Sequence, residues 1–111
     1  MARYSALFKA VNSVHDIRQV LADTLAACDL NLIYANDEYL VAKEKPGGVT
    51  PAKLATVEVL INPPTVEEPS ARVNLVVKNE ELALKADNHC HRIFDLVNRA
   101  ISDTDLATLA L

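Results

Sequence analysis

Between Asp29 and Asn79 apolar residues recur at every second position, whereas on both sides of that stretch they recur at every third or fourth. A period of two belongs to strands with one buried face, and a period near 3.6 belongs to amphipathic helices, so a sheet is expected between helices. Leu30, Leu32 and Tyr34 alternate, Asn36-Asp37-Glu38 supplies turn residues, and Tyr39 and Val41 alternate again, which predicts a hairpin. KPGGVTP, residues 45–51, holds both glycines of the chain and two of its five prolines, and reads as a loop. A third strand is expected over 53–62, with Val57, Val59 and Ile61 on one face, and Asn62-Pro63-Pro64 ends it. A fourth is expected over 71–78, with Val73, Leu75 and Val77 on one face.

The flanks follow the longer period. Tyr4, Leu7, Phe8 and Val11 stand at i, i+3, i+4 and i+7, predicting a short amphipathic helix within residues 1–12. Ser13-x-x-Asp16 can cap the next helix, which carries Val14, Ile17, Val20, Leu21, Leu25 and Cys28 on one stripe over 14–28. The two stripes are nearly in phase, which leaves one long helix from about residue 3 to 28 as an alternative. After Asn79, either a helix starts at Glu80, or residues 80–86 are extended and Asp87 or Asn88 is the cap. The second reading is the better one, because Asp and Asn are poor in helix interiors and good at caps. Cys90, Ile93, Phe94, Val97 and Ile101 then form the buried stripe. Ser102-x-x-Asp105 offers a further cap before Leu106 and Leu109, so 102–111 reads as a terminal tail. The expectation is one α+β domain over 1–111: an N-terminal helix, a four-stranded antiparallel meander and a C-terminal helix, both helices on one sheet face.

At 111 residues such a domain buries enough surface to fold without a disulfide or a metal. A formal charge of −4 argues against a general nucleic-acid binder. No apolar run approaches the roughly 20 residues that span a bilayer, and no polybasic patch suggests a membrane surface. The first residues lack the apolar core of a secretory signal, so a cytoplasmic protein with Cys28 and Cys90 reduced is the expectation.

The densest run of potential ligands is His89-Cys90-His91. On a helix successive side chains turn by about 100°, so the three cannot face one ion, and no second pair with metal-ligand spacing exists. Cys90 falls in the buried stripe, where a thiol acts as a small hydrophobe. A nucleophilic Cys90 at a helix N-terminus is the competing reading, and the core position argues against it. Neither a cofactor nor a catalytic constellation is expected.

Two surfaces remain. Lys45, Gly47 and Gly48 in the 45–51 loop can gather backbone N–H groups and charge around an anion, although the phosphate-loop spacing is missing. On the sheet, the face opposite the helices carries Thr56, Glu58, Arg72, Asn74 and Lys78, with Glu58 able to pair with Arg72 or Lys78. Leu60, Val76 and Ile33 remain there as an apolar band that tends to be covered. The N-terminal helix, through Tyr4, Leu7 and Phe8, can cover it; otherwise a second subunit or another protein does. The first expectation is therefore a small non-enzymatic domain acting by protein interaction or homodimerisation through this face. The alternative is a binder of an anionic or apolar small molecule, or a minor enzyme, with His89, His91 and the 45–51 loop at the mouth of its pocket.

Overall fold

In the computed structural model, residues 1–82, 84–85 and 87–104 and the backbone of 108–110 are described. The elements are β1 (Ala2–Ala10), α1 (Val14–Ala27), β2 (Leu30–Ala35), β3 (Tyr39–Glu44), β4 (Thr56–Asn62), β5 (Ala71–Asn79), α2 (His89–Ser102) and β6 (Thr108–Ala110). They build an antiparallel sheet in the order β2-β3-β4-β5-β1-β6, so the fold is α+β. Strands β2 to β5 form the expected meander. The expected N-terminal helix is instead β1, and it pairs along its whole length with β5, from Ala2 opposite Asn79 to Ala10 opposite Ala71.

The strand form of β1 follows from its even positions. Ala2, Tyr4, Ala6, Phe8 and Ala10 face the helices, Phe8 being 2% exposed, while Arg3, Ser5, Leu7 and Lys9 face the other way. A helix would have put Leu7 and Phe8 on one side; the strand sends them to opposite sides, and Val11 is exposed beyond its end. From the end of β1, α1 crosses the sheet and delivers β2 to the far edge. Ser13 caps α1 by accepting from the Asp16 N–H, as its spacing predicts. Asp29, with φ of 63°, turns the chain out of the helix.

Helix α2 starts where the cap reading places it. The Asn88 side chain accepts from the His91 N–H and donates to the Tyr4 hydroxyl at 2.7 Å, so the cap is also tied to β1. Stripe residues Cys90, Val97 and Ile101 are buried. Together with Ile17, Leu21 and Leu25 of α1 they close over Val57, Val59, Ile61, Val73, Leu75 and Val77. The expected third strand begins later than residue 53, since Pro51–Lys53 forms a short 3-10 turn. Ser102, suggested as a further cap, is instead the last residue of α2 and donates to the Asn98 carbonyl, and within the expected tail the backbone of Thr108–Ala110 pairs with β1; Asp105 and Leu106 lie outside the described residues.

One local correction bears on the surface. Leu32 lies opposite Ala42, on the helix side, but Tyr34 lies opposite Val41, on the outer side. The register shifts at Ile33, an inserted residue that flips the alternation, so Leu30, Leu32 and Tyr34 do not share a face. Among the described residues no helix is long and apolar enough to cross a membrane.

Candidate functional site

The three residues of the His-Cys-His run go separate ways. Cys90 is fully buried, its Sγ 3.4 Å from the Val77 carbonyl and 3.8 Å from that of Ala2. Burial, helped by the Glu81 carboxylate, pushes its thiol up to about 11, which keeps it protonated at neutral pH and unlike an activated nucleophile. His89 Nε2 lies 2.7 Å from Glu44 Oε1, and both side chains are largely buried. His91 leans over the Tyr4 ring, centroids 4.9 Å apart and edge-on, with Asp95 one turn ahead at 3.6 Å. Asp87, one turn before His91, pairs with Arg92 at 3.0 Å. Among the described residues no three His, Cys, Asp or Glu side chains converge as a metal site would require.

Glu44 explains the placement of His89. Its Oε1 also accepts from the Ala55 N–H at 2.8 Å, so one carboxylate pins the end of β3, the segment leading into β4 and the first turn of α2. Lys45, at the next position, is bound to Asp29 at 2.7 Å. Lys45 and Gly48 line a recess of about 370 Å³ with Cys28, Leu30 and Ile93. His89 lines a different recess of about 320 Å³, beside Lys53, Glu81 and Arg92. His91 lines neither, and Gly47, with φ of 117°, serves the turn of the loop. The five residues considered for a ligand therefore do not surround one cavity.

The outer sheet face does assemble. Both helices pack on the opposite side, and the register sorts the outer side chains into rows across the strands. One row runs Tyr39, Leu60, Asn74, Leu7, and the next runs Val41, Glu58, Val76, Ser5. Leu60 is 42% exposed and Tyr34, beside Val41, is 52% exposed. Leu7, Leu60 and Val76 line one open groove of about 570 Å³ with Arg3, Tyr39 and Glu58. Of the residues considered for an interface, those three are gathered here. Ile33 stands exposed at the bulge of the edge strand, and Tyr4 and Phe8 face the helices instead.

Charge frames this apolar centre on two sides. Toward one end of the strands the row is Lys43, Thr56, Lys78, Arg3; toward the other it is Asn62, Arg72, Lys9. Strands β1, β3, β4 and β5 thus place five cations on the outer face and one carboxylate, Glu58. That carboxylate is held by Lys78 at 2.9 Å, and desolvation together with the nearby Glu58 charge pushes the Tyr39 phenol upward. Sequence reasoning missed Arg3, Lys9, Lys43, Tyr39 and Val41 as members of this face. The alternation of A-R-Y-S-A-L-F-K-A at the N-terminus, interrupted only at Leu7, was the signal for the first two. Comparison with known proteins finds no matching family and no matching curated protein.

Proposed function

We propose that this chain is a non-enzymatic interaction domain that binds a second polypeptide on the outer face of its sheet. The observation that carries this reading is the apolar band of Leu7, Val41, Leu60, Val76 and Tyr34, left uncovered because the N-terminal segment is a strand within the sheet and not a helix over it. Contiguous apolar surface of this kind, rimmed by polar groups, is a feature of binding faces. The polypeptide is either a second copy of the chain or another protein. The ligand-binding reading has less support, since its residues are divided between separate recesses, and Cys90 offers no accessible thiolate.

The test is site-specific photo-crosslinking in the cells that make the protein. A photoreactive residue replacing Leu60 is expected to give a discrete protein adduct, and one replacing Gln19, exposed on α1, is expected to give none. Equal labelling from both positions, or none from Leu60, would overturn the reading. An adduct of twice the chain mass would identify the partner as a second copy.

A further inference from the structure

The charges on the outer face select among occupants. Arg3 stands directly opposite Lys78, and Lys9 directly opposite Arg72. Like charges in directly opposed cross-strand positions repel, so neither pair helps the sheet to form. Each is half relieved within the chain: Lys78 by Glu58 and Lys9 by Glu68. Arg3 and Arg72 have no carboxylate within ion-pair distance among the described residues, and neither has Lys43 in the same row as Arg3. Three unpaired cations therefore point outward from a chain whose formal charge is −4.

Resting on the interaction reading above, we propose that the face docks an acidic, leucine-rich segment of another protein, with carboxylates at both ends of an aliphatic centre. The dimensions suit such a segment. Arg3 and Lys9 are six residues apart on one strand, so the two basic rows are separated by about 20 Å. A helix of about 14 residues has that length, and its apolar stripe would lie along Leu7, Leu60 and Val76 while its terminal carboxylates met Arg3 and Arg72. A second copy docked by the same face is disfavoured, because a two-fold interface sets each patch against itself and would bring the unpaired cations together. A nucleic-acid strand is disfavoured by the aliphatic centre of Leu7, Leu60 and Val76, the rings of Tyr34 and Tyr39 lying only toward the β2 edge, and by Glu58 in that centre.

The probe is a capped synthetic peptide of 14 residues with Glu at both ends and Leu along one face, titrated into the isotope-labelled full chain by NMR. Its amide shifts are expected on Arg3, Leu7, Leu60 and Arg72. Combined R3E and R72E is expected to weaken binding by about tenfold or more at low salt, whereas R99E, on α2, leaves it unchanged. The amide spectrum of each variant reports directly that it is folded. Equal binding of a peptide with Lys in place of Glu, indifference to R3E and R72E, or no shift on the face would overturn the acidic assignment. So would tighter binding of a single-stranded oligonucleotide, or dimerisation through the face. A discrete adduct from Leu60 alongside any of these failures would leave the interaction reading standing, whereas its absence would remove both.

Discussion

Replacing Phe8 with alanine is expected to lower the unfolding free energy by about 3–5 kcal/mol, while replacing its neighbour Leu7 costs about 1 kcal/mol or less. Phe8 is 2% exposed on the helix side of β1, opposite Val73, and its removal leaves a cavity between sheet and helices. Leu7 is only half-buried and lies on the outer face. The contrast separates the strand from the amphipathic helix that the spacing of Tyr4, Leu7, Phe8 and Val11 suggests, in which Leu7 and Phe8 would share one buried stripe and both truncations would be costly. Chemical denaturation of the two variants decides it. Comparable losses at both positions would contradict the assignment of residues 2–10 to the sheet, and with it the bare outer face.

Glu44→Ala is expected to cost about 2–4 kcal/mol, and Glu44→Gln about 1 kcal/mol or less. The carboxylate takes a hydrogen bond from the Ala55 N–H and meets His89 at 2.7 Å; alanine leaves both without a partner in a largely buried setting. Glutamine retains an acceptor oxygen for the backbone N–H and an amide that can serve the imidazole. Such a pattern marks the Glu44–His89 contact as a strut between the β3–β4 connection and α2. A negligible loss for Glu44→Ala would mean that the strut is dispensable.

Much of this fold was legible in the sequence, and the part that was not has an identifiable physical cause. The meander, both helices and the two caps at Ser13 and Asn88 are local features, set by side-chain period and by short polar side chains bonding nearby N–H groups. β1 was misread because Leu7 and Val11 complete a helical spacing, while the competing two-residue alternation needs a partner strand to become decisive. That partner, β5, lies far away in the chain, and one sequence does not announce it. The bulge at Ile33 was hidden for a similar reason: an inserted residue reverses the faces of everything after it without changing the composition of the strand.

The same causes limited the candidate site. Leu60 and Val76 were readable as outer residues from the period of β4 and β5 alone. Arg3 and Lys9 became part of the face only when β1 joined the sheet, and the opposed cations exist only through the β1–β5 register. His89 and His91 stood out by residue type, yet their surroundings come from Glu44 and Tyr4, which the chain brings in from other elements.

The bare outer face is the claim on which the proposals stand, and solvent exposure of methyl groups tests it most directly. With a soluble paramagnetic agent added to the dilute, methyl-labelled chain, the account predicts strong relaxation of the Leu7, Val41, Leu60 and Val76 methyls and little effect on those of Val57, Val59, Leu75 and Val77. Outer methyls as protected as the core set would show that the chain covers this face itself, and would contradict the account.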